Sequence, residues 1–170
     1  MSTLRVACVI PTYNGCQDLA RLLDSLEIQS APFDTLIVDS SSSDGTYELA
    51  LARCANVLRI DSRDFNHGGT RQLMVERYAD YDLYVFMTQD AYLEDAEGLA
   101  RIVAPFADPQ VGAVCGRQLP HLDASPLANH ARLFNYPPTS QVKSLADVPA
   151  LGIKTCLLYT SDAADEEDSV

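Results

Sequence analysis

Short apolar runs alternate along the chain with segments in which leucine recurs every three or four positions. The first run covers residues 4–10 and stops at Pro11, a pattern typical of a strand buried on both faces of a parallel sheet. Residues 17–29 then carry four leucines at helical spacing, and Pro32 ends that pattern. The chain therefore opens with a predicted strand followed by an amphipathic helix.

The same alternation continues to about residue 115. We predict further strands over residues 35–39, 57–60, 83–87 and 111–115, with helices from Thr46 onward, over 70–79 and over 96–106. Alternation at these lengths favours right-handed βαβ units, a mostly parallel sheet and ligands at the carboxyl ends of the strands. The predicted fold is a Rossmann-like α/β sheet flanked by helices, followed by a long loop region with one helix over 126–134.

Length and composition favour a single domain. The chain has 170 residues, 47% of them hydrophobic, which is enough for one buried core. Its net charge is −12 and its lysines and arginines do not cluster, which argues against a nucleic acid partner. Five cysteines without a CxxC pair indicate reduced thiols, and we expect Cys8 and Cys115 to be small buried hydrophobes in strands. With no leader pattern and no run of about 20 apolar residues, we expect a soluble, cytoplasmic protein.

The last residues do not continue the pattern. From Cys156 onward the sequence resembles a translated sequencing-library adapter, and it carries five acidic residues without a base. We therefore predict a domain over residues 1–155, incomplete at its C-terminus, and an artefactual tail over 156–170. A disordered acidic tail is the alternative.

Polar residues follow the first two predicted strands. The turn formed by Pro11, Thr12, Tyr13 and Asn14 could present side chains and backbone groups to a base or ribose, although such turns also end many strands for geometric reasons. Asp39 ends the second strand, where a carboxylate can accept hydrogen bonds from a pyrimidine or from ribose hydroxyls. For Asp44, shortly after it, a helix N-cap is the more common role.

A glycine pair lies between His67 and Arg71. Glycines permit positive φ and close approach of backbone N–H groups to an anion, and Arg71 on the first turn of the next helix can contact two phosphate oxygens. We predict that His67, Gly68 and Arg71 form a phosphate-binding loop. A histidine satisfied within a turn is the alternative.

Gln89 and Asp90 follow the strand predicted over 83–87. Mg²⁺ or Mn²⁺ typically takes one or two protein carboxylates together with phosphate oxygens, so one aspartate at this position is sufficient. We therefore predict Asp90 as a metal ligand and a diphosphate as the bound group, while a solvated aspartate at a strand end is the alternative.

Together these motifs resemble family 2 glycosyltransferases, which have the GT-A fold. The resemblance covers residues 4 to about 155 and is carried by residues 9–14, 37–46 and 86–91. Residues 65–71, 88–91 and 116–120 are most similar to the bacterial rhamnosyltransferase branch.

The resemblance implies a transferase that passes a sugar, rhamnose from dTDP-rhamnose, to a polysaccharide or lipid-linked acceptor with inversion at the anomeric carbon. It implies a divalent cation, Mg²⁺ or Mn²⁺, on Asp90, and peripheral membrane association of the intact protein at the inner face of the membrane. On this resemblance Arg71 holds either the base or the diphosphate of the nucleotide. The residues expected to bind the nucleotide sugar are Pro11, Thr12, Tyr13, Asn14, Asp39, His67, Gly68, Arg71, Gln89 and Asp90.

The sequence departs from the family in two places. Residues 151–155 run directly into the tail, so the general base is expected to lie in a second half beyond them, and no catalytic residue is predicted. Gln89 stands where the more familiar Asp-x-Asp motif has its first aspartate. A nucleotidyltransferase is one alternative. Such an enzyme would show a Gly-rich loop with a basic residue after the first strand, and residues 11–14 offer none. A non-catalytic nucleotide-binding fragment is another.

Overall fold

The chain has a four-stranded parallel sheet flanked by helices. The structure is a computed structural model that describes residues 4–121, 124–136, 138–147 and 149. The strands are β1 (Val6–Thr12), β2 (Asp34–Asp39), β3 (Asn56–Arg59) and β4 (Leu83–Phe86). The helices are α1 (Cys16–Glu27), α2 (Thr46–Arg53), α3 (His67–Arg77), α4 (Gly98–Val103) and α5 (Pro126–Asn135), with short 3₁₀ turns at Ser62–Asp64, Ala104–Ala107 and Leu145–Asp147. The chain divides into two compact units, one up to Val114 and one from Cys115 onward.

The strands of the first unit lie in the order β3-β2-β1-β4, and every pair is parallel. Thr12 at the end of β1 is opposite Asp39 at the end of β2, and Asp39 is opposite Arg59 at the end of β3. This confirms the predicted α/β class, and it brings the ends of three strands side by side at one edge of the sheet.

Apolar side chains fill both faces of the sheet. On one face, Cys8, Ile10 and Ile37 pack with residues of α1, α2 and α4, including the four leucines of α1. On the other face, Ala7, Val9, Leu36 and Val38 pack with Met74 of α3. Burial on both sides explains why β1 and β2 read as continuous apolar runs rather than as alternating patterns. Burial also raises the pKa of the Cys8 thiol to about 12, as expected for a small hydrophobe that takes no part in chemistry.

The first strand continues past the proline that was predicted to stop it. Main-chain bonding alternates along β1, because the Val9 carbonyl accepts from Met87 on the β4 side and the Thr12 carbonyl accepts from Ser40 on the β2 side. By this alternation the nitrogen of Pro11 faces the β4 side, where strand pairing has already ended at Phe86. The missing N–H of Pro11 therefore costs no ladder bond.

Helix α3 begins at His67, three residues before the predicted start at Thr70. Asn66 caps it, since its Oδ1 accepts a hydrogen bond from the Gly69 N–H at 2.8 Å. The prediction that Gly68 and Gly69 form a loop was therefore wrong, because the cap draws both glycines into the first helical turn. Among the described glycines only Gly45 has a positive φ.

The predicted strand over 111–115 is absent from the sheet within the described residues. Gly112 interrupts the apolar run near its start, and glycine weakens a strand because it has no side chain to pack. Cys115 is exposed, and the expectation that it lies buried in a strand was wrong.

The second unit contains α5, which confirms the helix predicted over 126–134. Ser125 caps it by accepting from the Ala128 N–H at 3.3 Å, and Pro126 occupies its first turn. In the part of the chain that the structure describes, no helix has the length and apolar character needed to cross a membrane. The predicted tail over 156–170 lies outside the described residues.

Candidate functional site

The strand order reverses at β1, since the chain runs from β1 out to β2 and β3 and then returns to pair β4 with the other side of β1. In open α/β sheets the ligand crevice lies outside the carboxyl ends of the two strands that flank such a reversal. Of the predicted site residues, Thr12 ends β1, Tyr13 and Asn14 follow it, and Gln89 and Asp90 follow β4. The topology therefore brings both groups to one crevice.

Hydrogen bonds join the loop after β1 to the loop after β2. The Asn14 N–H donates to Ser42 Oγ at 3.0 Å, and Asn14 Oδ1 accepts from the Ser43 N–H at 2.9 Å. Asn14 has a φ of 43°, in the left-handed region that asparagine tolerates better than most residues. These contacts hold Asn14 in a fixed turn.

Asp44 adds a second tie between the same two loops. Its Oδ2 accepts from the Cys16 N–H at 3.1 Å, and its Oδ1 accepts from the N–H and the hydroxyl of Thr46. The hydroxyl of Thr46 in turn accepts from the Gly15 N–H at 3.0 Å. Hydrogen bonding, first from the Thr46 hydroxyl and then from backbone N–H groups, lowers the pKa of Asp44 below its ordinary value of 3.8, against a smaller opposing effect of desolvation.

Asp39 is fully buried at the end of β2. Its Oδ1 accepts from the hydroxyls of Thr12 at 3.2 Å and Ser42 at 2.5 Å, and its Oδ2 accepts from the Ser42 N–H at 3.0 Å. The Arg59 Nε lies 3.8 Å from Oδ2, and the guanidinium rests over the ring of Tyr47 at 4.5 Å from its centroid. Hydrogen bonds and the guanidinium of Arg59 thus compensate the negative charge of Asp39, as the burial of a carboxylate requires.

The start of α3 presents the predicted phosphate-binding residues. His67 and Gly68 are exposed at a helix N-terminus, where backbone N–H groups and the helix dipole favour an anion. Arg71 is half-buried, and its Nη1 donates to the His67 carbonyl at 2.7 Å. The guanidinium therefore lies against the first turn of its own helix.

The turn after β4 combines one engaged and one unengaged side chain. Gln89 Oε1 accepts from the Tyr13 N–H at 2.9 Å, and Gln89 Nε2 donates to the Tyr13 carbonyl at 3.0 Å. Asp90 is exposed, and within the described residues its carboxylate has no hydrogen-bond or ion-pair partner. The same part of the chain contains no group of three or more metal-ligating side chains. A metal at Asp90 would therefore need most of its ligands from a bound diphosphate and water.

A cavity of about 380 Å³ lies at the start of α1. Its lining includes the carboxylates of Asp18 and Asp44, whose charge opposes a phosphate. We assign it no part in diphosphate binding.

Several residues of the site were missed by the sequence reasoning. Ser42 and Thr46 could have been found from the polar run after Asp39, because serine and threonine in such loops commonly bond to neighbouring backbone. Arg59 carries no local signal, since its position opposite Asp39 follows only from the pairing of β2 with β3.

An open parallel sheet with a polar crevice at its point of reversal, an anion-favouring helix start and an unengaged carboxylate define an α/β protein of the doubly wound class. The model of the family described as "Glycosyl transferase family 2" matches residues 7–166. The chain belongs to glycosyl transferase family 2, and this membership does not favour the nucleotidyltransferase alternative.

Two curated relatives come from Salmonella. The chain is 48% identical over 163 residues to the O-antigen chain rhamnosyltransferase RfbN of Salmonella typhimurium, a match that covers 95% of this chain and 52% of the relative. It is 43% identical over 158 residues to the O-antigen chain rhamnosyltransferase WbaN of Salmonella anatum, covering 92% and 50% respectively. The chain spans about half the length of these relatives.

Among solved structures, the mannosyltransferase PcManGT of Pyrobaculum calidifontis, in complex with GDP-Man and Mn²⁺, has a TM-score of 0.58 at 26% identity. The match covers 65% of this chain and 34% of that one. The fold of the chain is accordingly GT-A, as the sequence resemblance predicted.

Proposed function

We propose that the protein carrying this chain transfers rhamnose from dTDP-rhamnose to a growing glycan, and that this chain binds the donor. The observation that carries donor binding is the unengaged Asp90 carboxylate at the crevice between β1 and β4. The choice of rhamnose is supported by the 48% identity to an O-antigen chain rhamnosyltransferase.

We assign the donor's parts to the residues that were predicted from the sequence. Pro11, Thr12, Tyr13 and Asn14 bind the nucleoside together with Asp39, and His67, Gly68 and Arg71 bind the diphosphate. Asp39 is already held by Thr12 and Ser42, but each carboxylate oxygen can accept two hydrogen bonds and Oδ2 accepts only one at short range. Because Asp39 is fully buried, a ligand N–H or hydroxyl reaches this oxygen only after a neighbouring side chain moves aside.

The crevice suits a divalent cation, Mg²⁺ or Mn²⁺, held by Asp90 and by oxygens of the diphosphate. An exposed carboxylate with no protein partner among the described residues is the donor type that both ions prefer. A cation bound there would neutralise negative charge on the departing nucleoside diphosphate. The Mn²⁺ of the similar mannosyltransferase supports this assignment, with Mn²⁺ as our first choice.

Transfer requires the acceptor hydroxyl to attack the anomeric carbon while the bond to the nucleoside diphosphate breaks. Charge then builds on the leaving group, next to the helix start at His67 and the guanidinium of Arg71, and preorganised donors of this kind lower the barrier. We assign no general base among the described residues. As its oxygen attacks, the acceptor hydroxyl gives its proton to a general base.

A donor panel tests this proposal. We expect calorimetry on the full chain to detect dTDP-rhamnose with Mn²⁺ present, and to show weaker binding of UDP-glucose and GDP-mannose or of any donor in EDTA. Tighter binding of another nucleotide sugar would overturn the choice of rhamnose, and no binding of any would overturn donor binding altogether.

We also propose a lipid-linked acceptor at the inner face of the cytoplasmic membrane, supported by the O-antigen activity named for the two relatives. In cells that express the intact protein, labelled rhamnose from dTDP-rhamnose should enter the lipid extract of the membranes. Label found only in soluble products would contradict this acceptor.

A further inference from the structure

The sheet is open between β1 and β4 at the ligand edge. Their main-chain pairing ends with Val9 opposite Phe86 and with the Met87 N–H donating to the Val9 carbonyl at 3.0 Å. On the other side of β1, pairing with β2 continues to Thr12. The last residues of β1 therefore have a strand neighbour on one side only, and the two loops of the crevice diverge at this point.

A side chain continues the ladder where the main chain stops. Tyr13 has the same parity as Val9 and Pro11, so its N–H and carbonyl face the β4 side of β1, and both are met there by the Gln89 amide at 2.9 and 3.0 Å. A primary amide can donate and accept at once, which a carboxylate cannot. A glutamine at position 89 can therefore make both hydrogen bonds to Tyr13, and a glutamate could make only one.

Gly15 completes the arrangement. A Cβ at this position would lie 2.3 Å from Gln89 Nε2 and 2.5 Å from its Cδ, far inside contact distance. The φ of Gly15 is −137°, which other residues adopt, so the position demands glycine for space and not for backbone freedom. The amide of Gln89 lies in the space that Gly15 leaves.

We propose that Gln89 is a positioning residue whose paired amide fixes the turn that carries Asp90 against the loop after β1. The inference rests on the proposed donor binding at Asp90. Without the amide bonds, no other hydrogen bond joins residues 88–91 to residues 13–15, all of which the structure describes. Asp90 would then lose its fixed distance from the nucleoside-binding loop, and a cation shared between Asp90 and the diphosphate would be held less tightly.

The proposal makes a counterintuitive prediction for Gln89→Asp. This substitution adds a second carboxylate beside Asp90, which on charge alone should strengthen metal binding. An aspartate is too short for the pairing and cannot donate to the Tyr13 carbonyl. We therefore expect Mn²⁺ to strengthen dTDP binding less than it does in the wild-type chain.

The test compares Gln89→Met and Gly15→Ala with the wild-type full chain. The readout is the Mn²⁺ effect, defined as the Kd for dTDP in EDTA divided by the Kd in Mn²⁺. We expect both variants to lower this ratio by roughly tenfold, the size expected for two lost neutral hydrogen bonds, while the Kd in EDTA changes little. Gln72→Met on the exposed face of α3 is the matched control and should leave the ratio unchanged.

Gly15→Ala should fold like the wild-type chain, because the added methyl group meets only the end of the flexible Gln89 side chain, which can turn away into solvent. A loss of the Mn²⁺ effect in this variant is then not due to unfolding. In a Gln89→Ala background, Gly15→Ala should cost nothing further, since the clashing amide is gone. An additive loss in the double variant would overturn the proposal, as would an unchanged Mn²⁺ effect in both single variants. If the wild-type chain shows no Mn²⁺ effect on dTDP binding, the proposed donor site fails and the positioning role fails with it.

Discussion

At the scale of single residues, the side chains of the site differ in whether they have hydrogen-bond partners within the protein. Asp39, Asp44 and Gln89 each have two or more hydrogen bonds within or between the loops at the ligand edge. Asp90 has none among the described residues. A carboxylate left exposed beside such an organised framework is available for a ligand, and a substitution there should alter binding without altering stability.

Asp90→Asn tests this separation. We expect the substitution to weaken binding of dTDP in Mn²⁺ by about 10–30-fold, or about 1.5–2 kcal/mol, because an amide lacks the charge that a divalent cation needs. Calorimetry with and without Mn²⁺ measures the change, and urea unfolding should be unaffected. Asp80→Asn, on an exposed aspartate before β4 and so at the opposite edge of the sheet, is the control. An equal loss in both variants would show that general charge and not a specific ligand is responsible.

Asp39→Ala should behave in the opposite way. It leaves the Ser42 N–H, the Thr12 hydroxyl and the Arg59 guanidinium without their buried acceptor, so we expect the free energy of unfolding to fall by about 2–4 kcal/mol. Thr12→Val removes only the 3.2 Å bond and should cost about 1 kcal/mol. Urea denaturation measures both. Similar small losses for the two variants would contradict the central place of Asp39 in this network.

At the scale of elements, the ligand edge is formed by loops that bond to one another across the ends of β1, β2 and β4. Gly45 and Asn14 adopt left-handed backbone angles there, with φ of 97° and 43°, which lets the chain turn sharply between strand and helix. The contacts of Asp44 then fix the start of α1 against the start of α2. Order at this edge therefore depends on a charged hydrogen-bond acceptor and should respond to pH.

The response has a definite sign. Because hydrogen bonding lowers the pKa of Asp44 in the folded chain below 3.8, its ionised form stabilises the fold at neutral pH, and this contribution is lost as pH falls through the lower folded pKa. We expect Asp44→Asn to destabilise the chain at pH 7 and to have a smaller effect near pH 2.5, as measured by urea midpoints. Other carboxylates with lowered pKa, such as Asp61 and Asp95, are present in both proteins and cancel in the difference. A difference that is constant with pH would contradict this role.

At the scale of the whole molecule, the alternation of apolar runs was sufficient to predict the fold class. Burial on both faces makes β1 and β2 readable as unbroken apolar runs, and the leucine spacing of α1 identifies its packed face. The segment over 111–115 has a similar apolar composition but is interrupted by Gly112, and the pattern alone did not distinguish it from a paired strand. The early start of α3 was missed because the cap at Asn66 outweighs the low helix propensity of two glycines.

The site was predictable where chemistry is local and unpredictable where it depends on register. Thr12, Asp39 and Asp90 are recognisable because each stands at or just beyond the end of an apolar strand. The pairing of Gln89 with Tyr13 joins residues 76 positions apart, and the approach of Arg59 to Asp39 requires the alignment of β3 with β2. Such contacts follow from strand order, which a single sequence does not specify.

The close approach of Gly15 and Gln89 also restricts the order in which these positions can change during evolution. A lineage can replace Gln89 first, because the space beside Gly15 only becomes larger, but replacing Gly15 first displaces the amide at once. Once a bulkier residue occupies position 15, a return to glutamine at 89 would not restore the contact with Tyr13. Among relatives that keep glutamine at 89 we therefore expect glycine at 15.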